Sequence, residues 1–275
     1  MEHDAQSTES EQAEIDQLLA AAILPLTPGS SRLQAIATRL DQRIAESAIA
    51  HAGLLTMRAK AGNWQAAKDG VRFKTLWEGS EEIGQSVLVE FAAGAFLPVH
   101  RHHWLEEGIV LHGGLQMGAL ELEPFAYHAS PAGSRHARIQ SRQGGLAFLR
   151  GTSLGDIPNM FGEILSGLLP YQGGTAITIH HSDQGWQTII PGVLVKELYQ
   201  SGTVGSYFYK LLANTSVIIN YEECMMLEGE LFLADILLMA GDYQAAAGNG
   251  SRSGEATTDV GALFFVRGSS PFKIA

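Results

Sequence analysis

The chain has 275 residues, enough to bury a sizeable core, and 45% of them are hydrophobic against only 17% charged. Its 31 glycines fit short strands and tight turns better than long surface helices, and a formal net charge of −11 argues against a surface that tracks nucleic-acid phosphates. The single cysteine, Cys224, excludes an internal disulfide, and its Cys-Met-Met-Leu setting reads as core. No run is long and apolar enough for a bilayer, and the opening Met1-Glu2-His3-Asp4 is acidic; a cytoplasmic location is expected, with no membrane or nucleic-acid partner.

Residues 1–60 read as a short α-helical arm. Thr8 and Glu11 have capping-box spacing, and Leu18, Leu19, Ala22 and Ile23 recur at helical intervals. Pro25, Pro28 and Gly29 break the chain. Ser30 or Ser31 is then predicted to cap a second helix through about Ser47, with Leu33, Ile36, Leu40 and Ile44 on one face. An amphipathic arm of this kind packs on its own chain or on a twin subunit, and a homodimer is expected.

From residue 64 the texture changes to β-branched and aromatic runs punctuated by glycine, and it does so twice. Trp64-Gln65, Gly70-Val71, Lys74 and Leu76 recur as Trp186-Gln187, Gly192-Val193, Lys196 and Leu198. Glu106-Glu107, Leu111 and Gly113 recur as Glu222-Glu223, Leu227 and Gly229, and Leu146, Phe148, Arg150 and Gly151 as Leu263, Phe265, Arg267 and Gly268. Preserved order and a nearly constant offset mark a tandem duplication of one β-rich module. The expected division is a first module at 61–151, a linker at 152–180 with a short helix at Met160–Leu169, and a second module at 181–275.

The chemistry concentrates in the first copy. His100 and His102 are two apart, so on a strand both imidazoles leave the same face; three residues turn the chain, and Glu106 opens the returning strand. Pro131-Ala-Gly133-Ser-Arg-His136 is a proline-glycine turn that delivers a further imidazole. His100, His102, Glu106 and His136 therefore form a candidate set for a borderline divalent metal. His103 and His112 read as exposed, and His128, His180 and His181 have no spacing argument. Glu107 points away from Glu106 and reads as a surface group or one touching a ligand; Tyr127 and Arg135 flank the second motif within reach of a bound anion, but as turn residues read as surface. The second copy keeps Glu222 but has no His-x-His pair, and Ala247–Arg252 stands where the proline and histidine would fall, so it reads as metal-free.

These motifs resemble those of the cupins. Gly-x5-His-x-His-x3-Glu-x6-Gly fits Gly94, His100, His102, Glu106 and Gly113, and Gly-x5-Pro-x-Gly-x2-His fits Pro131, Gly133 and His136, with Phe125 in place of the leading glycine. The resemblance implies an all-β fold of two tandem cupin (double-stranded β-helix, jelly-roll) barrels after the helical arm, with the four ligands in the first barrel. The wording Leu97-Pro-Val-His-Arg-His102, the Pro-x-Gly-Ser-x-His turn and the Trp186…Lys196-x-Leu198 lead-in are similar to the cupin domain of ChrR-type anti-sigma factors. That family implies zinc, a response to oxidative stress, and a sigma factor held by a separate N-terminal zinc domain with a His-x3-Cys-x2-Cys motif. Residues 1–60 contain no cysteine, so that domain is expected to be absent or truncated.

Three functions follow. The first is a zinc-bearing sensor or regulator of oxidative stress or of a small ligand. The second is an Fe(II)-dependent dioxygenase acting on a small oxygenated substrate, with Mn as a further alternative metal. The third is a metal that only clamps the barrel. No catalytic residue beyond the ligands is assigned.

Overall fold

The computed structural model describes residues 12–19, 29–80, 82–154, 157–167, 174–246 and 250–272; the side chains of 136 and 157–161 are outside that description. The chain divides into two units, Met1–Ala52 and Gly53–Ala275. In the first, residues 12–19 are helical and a longer helix runs Ser30–Ala50. Its N-cap is Gly29 and not a serine; the Gly29 carbonyl accepts from Arg32 and Leu33, and glycine costs little at this position because the backbone closes the turn unaided. The helix runs about one turn beyond the expected Ser47, and none of its side chains is buried. The Thr8–Glu11 capping box, Ala22 and Ile23 lie outside the described residues. Among the described residues no helix is long and apolar enough to cross a membrane.

Among its described residues the second unit is built of strands apart from the helix Ile157–Gly167, which starts three residues before its predicted position. Its two halves repeat one sheet order. In the first half the order is Ile177–Ile179, Tyr127–Ser130, Glu106–Gly113, Gly145–Thr152, Gln85–Phe91, Val71–Trp77 and Gln65–Lys68. In the second half it is Leu54–Met57, Tyr243–Ala246, Glu223–Leu233, Ala262–Ser269, Val204–Leu211, Val193–Ser201 and Trp186–Ile190. The first strand of each half is thus exchanged: Leu54–Met57 pairs with Tyr243–Ala246 of the second half, and Ile177–Ile179 with Tyr127–Ala129 of the first.

A smaller sheet of Phe96–Leu97, Ile139–Gln140, Leu115–Met117 and Leu120–Leu122 closes the first barrel. Its interior is filled by Val71, Phe73, Val89, Val110, Met117 and Ile139 among others, and the second barrel's by Tyr209, Tyr221, Cys224, Met226 and Phe264. Cys224 is core, as its setting predicts, and burial pushes its thiol up. A third cluster lies between the barrels, where Phe148 meets Phe265 at 5.8 Å and Tyr243 at 5.9 Å. Central strands therefore bury both faces, which is why Gln85–Phe91 shows no clean alternation of apolar and polar residues.

At the centre of this interface lies a buried ion cluster. Arg150 donates to Glu223 at 2.6 Å and to Glu107 at 3.1 Å, and Tyr127 and Ser206 donate to Glu107, while Ser86 and Tyr243 donate to Glu223. Glu107 and Tyr127 are not surface residues: they are 1% and 0% exposed, because the second barrel covers the face of these strands opposite to that of Glu106. Burial raises the Glu107 carboxyl, but Arg150, Arg267 and the Ser206 and Tyr127 hydroxyls outweigh it and hold the group below its ordinary value.

The repeated glycine of the first motif has a steric reason. Gly113 adopts a left-handed φ of 71°, and a Cβ there would collide with the Gly144 carbonyl oxygen; Gly229 stands in the same relation to Gly261. Gly94 is also left-handed but has open space around it. Gly94→Ala is expected to cost about 1–2 kcal/mol for the conformation alone, and Gly113→Ala distinctly more, since backbone must also move. Denaturant midpoints of the two variants check the order.

Candidate metal centre

His100 lies on the two-residue strand His100–Arg101, His102 directly after it, and Glu106 at the start of Glu106–Gly113. The turn between them carries the chain back so that one ligand atom from each residue lies within 4.8 Å of the others. The imidazoles of His100 and His102 meet edge to face at 5.0 Å, and His102 Nδ1 is 3.7 Å from Glu106 Oε1. His102 and Glu106 are buried and His100 is half-buried. His100 Nδ1 is 2.9 Å from the Pro98 carbonyl oxygen; it donates there, which leaves the lone pair on Nε2 for a metal.

The second motif is stitched to the first. Pro131–Ser134 closes a turn with Gly133 at φ 74°, and the backbone of His102 exchanges hydrogen bonds with Ser134 (3.0 Å) and Gly133 (2.8 Å). The following strand, Arg135–His136, pairs with His100–Arg101 so that His136 sits opposite His100. The His136 side chain lies outside the described residues; its backbone is on the rung where a fourth ligand would stand. Phe125 replaces the motif's glycine yet keeps a left-handed φ of 63°, so the turn survives the substitution. A half-buried and a buried imidazole beside a buried carboxylate fit a divalent cation. Among the described residues no other group of this kind occurs, and His103 and His112 are exposed as expected.

Two residues around the centre had no signal in the spacing. Glu163, on the helix Ile157–Gly167, accepts from the His103 backbone N–H at 2.9 Å and from the Ser153 hydroxyl. Gly167 ends that helix so close to the ligand strand that a Cβ would come within 2.9 Å of His100 Cα, and its carbonyl accepts from exposed Arg135 at 2.9 Å. His128 was missed as well. It pairs with Gly108 in register while Ser130 pairs with Glu106, so both share the interior face of Glu106, and the ring contacts Thr178 Oγ1 (2.8 Å) and Ser130 Oγ (3.2 Å). Two small cavities adjoin Glu106, of about 40 and 30 Å³, walled largely by aliphatic side chains such as Leu97, Ile139, Leu149 and Met117.

The double barrel, with His, His and Glu gathered in one half, has the fold of the tandem cupins. Residues 53–154 match the family of ChrR cupin-like domains. No curated protein sequence matches the chain. Among solved structures it is similar to a candidate dioxygenase from Nostoc punctiforme (14% identity, 81% of this chain and 85% of that one, TM-score 0.58). It is also similar to Bacillus subtilis oxalate decarboxylase, studied for its Mn(II) centres (14%, 79% and 78%, 0.53). A third likeness is to a bacterial pirin from Escherichia coli in complex with nickel(II) (12%, 80% and 100%, 0.55). At these identities the likeness is one of fold. The chain is cupin-like, with a site suited to a divalent metal.

Proposed function

We propose that the protein is a zinc-bearing regulator whose first barrel holds the metal through His100, His102, Glu106 and His136 and responds to an oxidant or a small ligand. The observation that carries this reading is the size and lining of the space beside the donors. Cavities of about 40 and 30 Å³ hold a water or a diatomic molecule, far below the roughly 300–1,000 Å³ of substrate and cofactor pockets. Among the described residues their walls hold no Phe, Tyr or Trp on which a ring could stack. The ChrR cupin-like match over 53–154 supports the same reading. Bound zinc would supply Lewis acidity without redox chemistry. The partners that go with this reading are a second copy of the chain and a sigma factor or small-molecule ligand.

A second reading, an Fe(II)-dependent dioxygenase, is favoured by the Thr178–His128–Ser130 chain on the interior face of Glu106, polar groups a purely structural clamp would not need. Metal analysis of protein purified without added metal separates the two. The regulatory reading expects about one zinc per chain, lost on exposure to photochemically generated singlet oxygen. Iron in its place, with oxygen uptake against small 1,3-dicarbonyl or phenolic compounds, would overturn it in favour of the dioxygenase.

A further inference from the structure

Glu106 and Glu107 are neighbours on one strand, so their side chains leave opposite faces. Glu106 joins the histidines in the first barrel; Glu107 enters the interface between barrels, where it is 1% exposed. Its partners there come from both barrels. Tyr127 of the first donates to Oε1 at 2.6 Å, Ser206 of the second donates to the same oxygen, and Arg150 donates to Oε2. The arrangement is repeated in mirror form. Glu223 accepts from Tyr243 of its own barrel at 2.7 Å and from Ser86 of the other at 2.6 Å. The two halves differ in what precedes the buried carboxylate. Before Glu107 stands the candidate ligand Glu106; before Glu223 stands Glu222, which no histidine joins among the described residues.

We propose that the second barrel is a working part of the metal centre. Ser206, reaching across the interface, fixes Glu107 and through the shared backbone holds the Glu106 carboxylate where the imidazoles converge. Ser206 is a positioning residue, and the inference rests on the reading that these donors bind a metal. A ligating carboxylate must be held to within about 0.5 Å and 10–20°; backbone pairing on both sides fixes the strand itself, and the bonds on Glu107 limit the residual twist that would move Glu106.

The duplication supplies its own control. Ser206→Ala and Ser86→Ala each delete one buried serine–carboxylate hydrogen bond across the same interface; Ser206→Ala also removes an acceptor of Arg267, and only it lies beside a candidate metal ligand. In chelator-competition titrations of the full-length apoprotein with zinc, Ser206→Ala is expected to weaken binding by about tenfold or more, and Ser86→Ala by less than about twofold. The visible absorption of the cobalt(II)-loaded protein is expected to change in Ser206→Ala and to overlay wild type in Ser86→Ala, while both variants melt a few degrees lower. Tyr127→Phe and Tyr243→Phe, which keep the ring and remove only the hydroxyl, form a second pair in case Ser206→Ala does not fold. Binding is expected to fall in Tyr127→Phe alone. Equal affinities within either pair, both unchanged or both weakened, would overturn the proposal. Wild-type protein that fails to bind zinc or cobalt would bring down the metal reading itself, a different result from equal variants of a protein that binds.

Discussion

His102→Ala is expected to abolish tight metal binding and to leave both barrels folded. His102 is 3% exposed, lies 3.7 Å from Glu106 and 5.0 Å from His100 between ring centroids, and is backbone-bonded to the turn that leads to His136. The residue is therefore the hinge of the donor set, touched by both motifs. Removing an outer partner of a metal ligand costs about 10–100-fold in affinity, and removing the ligand itself must cost more. Stability should move in a way that separates a ligand from a core residue. Metal at a hundred times its Kd stabilises a folded protein by about 2.7 kcal/mol, so added zinc should raise the melting temperature of the wild type and leave that of His102→Ala unchanged. Calorimetric titration and melting curves with and without zinc give both numbers. A variant that still gains stability from zinc would remove His102 from the ligand set.

Arg150→Ala is expected to be the most destabilising single change at the interface. Arg150 is 4% exposed and is shared by Glu107 and Glu223, so its loss takes the ion-pair partner from two buried carboxylates at once. Breaking a buried ion pair from one side costs about 3–5 kcal/mol, which for a chain of this size lowers the melting temperature by roughly 10 °C. The pH dependence carries a sign. In the wild type the Glu107 carboxyl is held below its ordinary value, so its contribution is present above the unfolded value of about 4.3 and is lost as pH falls through the folded one. Without Arg150, burial acts against weaker opposition and pushes the carboxyl up. The deficit of the variant should then narrow as pH is lowered from 8 towards 5, because protonation relieves it. A deficit that stays constant over that range would place the cost elsewhere than on Glu107.

What could be read from the sequence divides along a physical line. The grouping of His100, His102 and Glu106 was legible because donors of this kind are brought together by short-range geometry: a two-residue step and a turn, braced by a proline-glycine bend. The duplication was legible because repeated contacts keep their residues. Lys74 is buried beside Trp64 with its ammonium on the Ala59 and Ala61 carbonyls, and Lys196 is buried beside Trp186 on those of His180 and Asp183. The residues that were missed depend on neighbours far away in sequence. Glu107 and Tyr127 look solvent-facing until the second barrel is laid against their sheet. His128 faces Thr178, which arrives from the strand that opens the other half. Glu163 and Gly167 reach the candidate site only because their helix folds back over the strand of His100.

The exchanged strands have a consequence for how this chain can be divided. Tyr127–Ser130 would be an open sheet edge without Ile177–Ile179, and Tyr243–Ala246 would be one without Leu54–Met57. Unpaired edges of this kind recruit other chains. Cutting between the halves does not yield two finished barrels but two pieces, each missing an outer strand that it cannot supply from its own sequence and each carrying the strand the other needs. Two copies of one such piece could satisfy each other by the same swap, so the tandem chain has the connectivity of an intertwined dimer whose subunits have been joined end to end.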